Sequence, residues 1–129
     1  MKGNTKLTKF FKILSAAFIA AIAVTGLTGC AAEEPIDMSQ YAAVIDVRSP
    51  AETSAGHLDG SLLFDVQGPA FMASLETLDK SANYYIYCRS GNRSGQAIQI
   101  MKDAGFTGEL ANGGSLANAA SETGIAVVK

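Results

Sequence analysis

The stretch Asn83-Tyr84-Tyr85-Ile86-Tyr87 runs directly into Cys88-Arg89-Ser90-Gly91-Asn92-Arg93-Ser94, after which Ala97, Ile98, Met101 and Ala104 recur at helical spacing. An aromatic and β-branched run predicts a strand, and the later period predicts a helix closed by Gly105. A strand joined to a helix by one short polar loop is the repeating unit of a parallel α/β sheet. It also fixes where chemistry can occur, because ligands of such sheets bind beyond the carboxyl ends of the strands. Cys88 stands at that edge.

The flanking sequence repeats the alternation. Ala42 to Val47 is a short apolar run suited to a buried parallel strand. Ser49, Pro50 and Glu52 supply a cap, a first-turn proline and the acidic partner of a capping box, and Gly56 stops that helix early. Leu62 to Val66 predicts a second strand and Ala70 to Leu78 a second helix, with Phe71, Leu75 and Leu78 on one side. A fourth strand is expected around Leu110, a turn at Gly113-Gly114 and a closing segment from Ile125 to Val128. Right-handed crossovers would join the parallel strands.

The N-terminus reads differently. Lys2, Lys6, Lys9 and Lys12 precede an apolar run from Ile13 to Val24, broken only by Ser15, which suits a secretory signal and is short for a membrane span. Leu27-Thr28-Gly29-Cys30 resembles the lipobox of bacterial lipoproteins, where cleavage precedes the cysteine and its thiol is diacylated. The expected organisation is a signal peptide over 1–29, lipidated Cys30 with a short tether over 30–38, and one domain over 39–129. The partner implied is a membrane, reached through the lipid anchor and not spanned. The protein is thus expected to be exported and anchored on the periplasmic face. Ala31-Ala32 favours the outer over the inner membrane in a double-membraned cell. An eight-residue tether, Ala31 to Met38, reaches roughly 28 Å.

Loss of the four signal lysines leaves 6 basic and 12 acidic residues, a formal balance of −6. An acidic domain without a basic stripe is a poor nucleic-acid binder. With Cys30 acylated, Cys88 is the single remaining thiol, so no intramolecular disulfide forms and no CxxC pair serves dithiol redox work. One cysteine and one histidine do not make a zinc ligand set.

Cys88 is therefore buried filler or a nucleophile, and the polar loop favours the second. Successive loop N–H groups and the positive end of the following helix would form an anion nest. Helix N-termini and nearby cations lower a thiol from about 8.5 toward 3.5–7.5, which turns a minor thiolate into the major species at neutral pH. Two enzyme classes build such a nest around a cysteine. Tyrosine-type phosphatases place five residues between Cys and Arg; here four separate Cys88 from Arg93, a smaller ring suited to one sulfur atom carried on the cysteine.

Four boxes in order resemble the single-domain rhodanese (thiosulfate sulfurtransferase) family: VIDVRSPAE at 44–52, Gly56-His57-Leu58 with Gly60-Ser61, CRSGNRS at 88–94, and Lys102 to Phe106 with Asn112-Gly113-Gly114. The resemblance implies a rhodanese-like α/β fold, a small parallel β-sheet flanked by α-helices on both faces. It implies that Cys88 takes a sulfane sulfur from thiosulfate or a similar small-molecule donor as a persulfide, and passes it to cyanide or a thiol. Arg89, Ser90, Gly91, Asn92, Arg93 and Ser94 would line the active-site loop, and no metal or organic cofactor is implied. Arg89 is placed to meet an anionic donor, whereas Arg93 could brace the loop on Asp46 or Glu52. Asp46, Arg48, Glu52 and the lone histidine, His57, read as structural support, and Ser94 as either a helix cap or a donor to sulfur. Asp59 replaces the usual proline, and the tryptophan often found after the double glycine is absent. The alternatives are a non-catalytic binding or sensing module of the same fold and, with less support, a cysteine phosphatase or arsenate reductase.

Overall fold

The computed structural model describes residues 34–129. The expected signal segment, the acylation site Cys30 and residues 31–33 lie outside the described residues. Among the described residues no helix is long and apolar enough to cross a membrane.

Four parallel strands form the main sheet: β1 (Ala43–Asp46), β3 (Leu62–Leu63), β4 (Tyr84–Cys88) and β5 (Leu110–Ser115), in the order β3-β1-β4-β5. The register pairs Asp46 with Tyr87, so the carboxyl ends of the two central strands finish side by side. Helices α1 (Pro50–Ala55), α2 (Phe71–Leu75), α3 (Asn92–Asp103) and α4 (Leu116–Thr123) lie in the connections, and the last three pack on the sheet. One face packs Ile45, Val47, Ile86 and Cys88 against Phe71 and Leu75 of α2 and Ala97 and Met101 of α3. The other packs Val44, Tyr85 and Tyr87 against Leu58 and Ala119 of α4. The expected helix-flanked parallel sheet is present, with a core on each side.

Three local expectations differ. The run Leu62 to Val66 is regular strand only at Leu62–Leu63, although Phe64 and Val66 still donate their N–H groups to the Asp46 and Val47 carbonyls; Asp65 begins a tight turn, its side chain accepting from the Gln67 N–H and its carbonyl from the Gly68 N–H. Gly113 and Gly114 lie within β5 and do not turn the chain. Gly114 has φ +70 at a register shift between β4 and β5, a bulge that brings Ser115 opposite Cys88. The closing residues Val127–Val128 form β6, which pairs antiparallel with β2 (His57–Leu58) in a separate two-stranded sheet.

Helix α4 was not anticipated, although its marks are in the sequence. Ser115 caps it by accepting from the Asn118 N–H, Leu116, Ala119, Ala120 and Thr123 recur at helical spacing, and Gly124 ends it with φ +68. Part of the expected tether is also structured. Ile36 donates its N–H to the Glu122 carbonyl, Ile36 and Met38 pack against the second core, and Asp37 caps a short 3-10 turn at Met38–Gln40. The ordered domain thus begins before residue 39, since Ile36 and Met38 are apolar and the sheet face offers them cover.

Gly113 faces the ring of Tyr85, and a Cβ there would fall inside the van der Waals surface of that ring. Gly113→Ala is expected to lower the unfolding free energy by about 1–3 kcal/mol through overpacking. A urea midpoint unchanged from wild type would contradict this packing.

Candidate active site

The site is built at the ends of β1 and β4. Cys88, the last residue of β4, has no solvent-accessible surface, and the rim residues Arg89, Ser90 and Asn92 are exposed. The backbone turns back over the sulfur at Gly91, whose φ of +94 suits glycine. A side chain there would also press on the Gly114 Cα at 3.3 Å. This turn carries the Gly91 N–H to 3.0 Å from Cys88 Sγ, and the Ser94 hydroxyl lies 3.4 Å from the same atom.

Burial pushes the Cys88 thiol up. The hydroxyl of Ser94 and the N–H groups of Ser94, Ser90 and Gly91 outweigh it, and the pKa comes down to about 7. Near neutrality thiol and thiolate are then both well populated. The nest expected from the strand-loop-helix sequence is therefore present. Its main lowering influence is direct hydrogen bonding to sulfur, rather than the nearby cations.

The two arginines have separate surroundings. Arg93 forms a two-pronged pair with Glu52, Nη1 to Oε2 at 2.8 Å and Nη2 to Oε1 at 2.7 Å. Glu52 Oε2 also accepts from the Ser49 N–H and hydroxyl, at 3.1 and 2.8 Å, so one carboxylate caps α1 and holds the loop. Of the two partners considered for Arg93, Asp46 is occupied elsewhere. It accepts from the Arg48 backbone N–H, Nε and Nη2, and Arg48 Nη2 reaches on to the Gly56 carbonyl at 2.6 Å. Arg89 is exposed and makes no salt bridge among the described residues.

His57 makes no contact with Cys88 in the hydrogen-bond network: its Nδ1 lies 3.0 Å from the Thr53 carbonyl, and in β2 it pairs with Val128 of β6. One further residue belongs to the site and was not singled out by its side chain. Asn112 Oδ1 lies 2.7 Å from Ser94 Oγ and 3.0 Å from the Gly114 N–H, and its Nδ2 lies 3.0 Å from the Gly91 carbonyl. The described residues contain no cluster of His, Cys, Asp and Glu able to hold a metal ion.

Comparison with known proteins adds to this geometry. Residues 31–117 match the family profile described as "Rhodanese-like domain". The "Probable adenylyltransferase/sulfurtransferase MoeZ" of Mycobacterium tuberculosis is 33% identical over 72 residues, covering 56% of this chain but only 18% of that protein. The "Thiosulfate sulfurtransferase PspE" of Escherichia coli is 31% identical over 72 residues, covering 56% of this chain and 68% of that one. Among solved structures, an E. coli protein titled "rhodanese with anions" superposes with a TM-score of 0.55 at 27% identity, over 67% of this chain and 96% of that one. A rhodanese-type domain of an Anabaena protein gives 0.57 at 26% identity, over 67% and 98% of the two chains.

The Glu52 carboxyl is held well below the usual carboxylate range, first by the Arg93 hydrogen bonds. The folded pKa is the lower one, so the pair's contribution is complete above the ordinary glutamate value and declines as pH falls beneath it. Glu52→Gln is expected to cost about 1–3 kcal/mol at neutral pH. Stability measured from neutral pH into the acid range should fall less steeply in the variant. Parallel acid limbs would show that Glu52 does not carry this dependence.

Proposed function

Because this chain belongs to the rhodanese-like family, we propose that it is a sulfurtransferase that moves a sulfane sulfur from thiosulfate, or a similar anionic donor, to cyanide or a thiol. The observation that carries the reading is the Cys88 sulfur held by the Gly91 N–H and the Ser94 hydroxyl, with the thiol brought down to about 7. In the first half-reaction the thiolate attacks the outer sulfur of thiosulfate. The new Cys88 S–S bond forms, the donor's S–S bond breaks, and sulfite leaves with the electron pair. In the second, cyanide or a thiolate attacks the outer sulfur of the persulfide, and the Cys88 thiolate is released. Nothing is lost to solvent and no external electrons enter. This is two-step covalent catalysis.

Each loop group has a task in this scheme. The N–H groups face the negative charge first on Sγ and then on the added sulfur. Arg93 is engaged by Glu52 and keeps the ring closed, whereas exposed Arg89 attracts the anionic donor. The four-residue spacing to Arg93 and the retained cysteine favour sulfur transfer over phosphate chemistry or a purely binding role. The sequence features at the N-terminus support an exported form held on the cell envelope through Cys30.

Thiosulfate-dependent formation of thiocyanate from cyanide tests the activity. Wild type is expected to turn over and to show one added sulfur on Cys88 by mass spectrometry after donor alone, and Cys88→Ser to do neither. Absence of both signals from wild type with every sulfane donor would refute the assignment. Turnover should rise with pH along a limb centred near the Cys88 value of about 7, since the thiolate attacks. Ser94→Ala removes the hydroxyl that stabilises the thiolate, so the limb should move upward and the rate at about pH 6.5 should fall about tenfold. An unmoved limb would mean that another group controls it.

A further inference from the structure

Ser94 has one hydroxyl proton and two acceptors for it, Asn112 Oδ1 at 2.7 Å and Cys88 Sγ at 3.4 Å. Sulfur's larger radius makes the second a bonding distance as well, but a single proton cannot serve both. The orientation of the Asn112 amide is fixed independently of Ser94. Its oxygen must face the Gly114 N–H, and its nitrogen must face the Gly91 carbonyl. Asn112 Oδ1 therefore remains hydrogen-bonded when the Ser94 proton points away from it, whereas a bare thiolate gains from every donor it can recruit.

We propose that Asn112 is a positioning residue that sets the charge state of Cys88 by competing with its sulfur for the Ser94 proton. This rests on Cys88 being the nucleophile of the sulfurtransferase reading. With a neutral thiol, or with a sulfur atom attached and the charge moved outward, Ser94 donates to Asn112. When Sγ is anionic, the hydroxyl turns to Sγ, and the Gly114 N–H alone satisfies Asn112. No covalent bond changes in this step; one O–H rotates between two acceptors. The bulge at Gly114 supplies that replacement donor, which gives the irregularity in β5 a role in the chemistry.

The charged groups around Cys88 do not compete with this device. The loop contributes Arg89, α3 contributes Arg93, and α1 contributes Glu52, which is paired to Arg93. The segment after β3 contributes Asp65, within electrostatic reach of Arg93, and the end of β1 contributes the paired Asp46 and Arg48. Strand β5, from which Asn112 projects, carries no charged side chain between Leu110 and Ser115.

Removing the amide acceptor should free Ser94 for the thiolate and lower the Cys88 pKa. A purely structural brace would do the reverse, because losing the Asn112 to Gly91 bond would loosen the N–H ring and raise it. The test is the rate of Cys88 alkylation by iodoacetamide at about pH 6, which needs no sulfur transfer and so is independent of turnover. Asn112→Leu is near-isosteric and Asn112→Ala is smaller; both lie at an exposed position, and melting curves establish that they fold. Each is expected to react about fivefold faster than wild type, the worth of one ordinary hydrogen bond. In a Ser94→Ala background the same substitutions should change nothing. Slower or equal alkylation in the single variants, or an equal acceleration without Ser94, would overturn the proposal. Faster, Ser94-dependent alkylation in a protein that never transfers sulfur would uphold the Asn112 device while removing the sulfurtransferase reading.

Discussion

The carboxylate of Glu52 joins the two parts of the chain on which the site depends. Its oxygens take both ends of the Arg93 guanidinium and both donors of Ser49. The first turn of α1 is thereby tied to the first turn of α3, across the ends of β1 and β4. The loop between Cys88 and Arg93 has its strand end fixed by the sheet and its helix end fixed by this pair. A six-residue ring anchored at both ends can hold its N–H groups on one point, and that point is occupied by Sγ. Planar two-pronged pairing adds direction as well as attraction, which a lysine in the place of Arg93 could not supply.

Alternation of apolar runs with helical periods made the parallel sheet and its helices legible, because period and loop chemistry are local properties. The ring was legible for the same reason: seven contiguous residues carry it. The partner of Arg93 could be narrowed to two carboxylates but not chosen, since the choice depends on Arg48 having already taken Asp46. Asn112 was hidden more deeply. Its partners Ser94 and Gly91 lie 18 and 21 residues earlier, and no spacing rule connects them. The bulge at Gly114 likewise arises from the pairing of β5 with β4, and its glycines read equally well as a turn. Helix α4 is a different kind of omission, because its cap, period and C-terminal glycine were all present but dominated by small residues. Ile36 is held by the Glu122 carbonyl of α4, so the length of the tether is legible only once that helix is recognised.

The lowered thiol shows how the site manages charge. Two of the cations at this end of the domain, Arg48 and Arg93, are matched by carboxylates, so the site carries little net positive field apart from exposed Arg89. Within the described residues acidic side chains outnumber basic ones, and long-range attraction for an anion is correspondingly modest. Stabilisation of negative charge is left to short, directional donors: Gly91 N–H, Ser94 hydroxyl and the neighbouring backbone. Such donors act over about 3 Å and are indifferent to screening by salt, unlike distant cations.

That arrangement bears on selectivity. On the proposed sulfurtransferase reading, N–H groups aimed at one atom suit a compact, singly bonded sulfur better than a phosphate group, which needs donors spread around a larger volume. The ring's size is set by the four residues between Cys88 and Arg93, and Arg93 cannot swing outward to enlarge it without surrendering Glu52. Widening the pocket for phosphate would therefore demand two changes at once, a longer loop and a new partner for the arginine. Either change alone would leave a charged side chain without its counterpart in a part-buried position, a costly intermediate for any sequence to pass through. The pairing that gives the loop its precision thus also confines the chemistry it can serve.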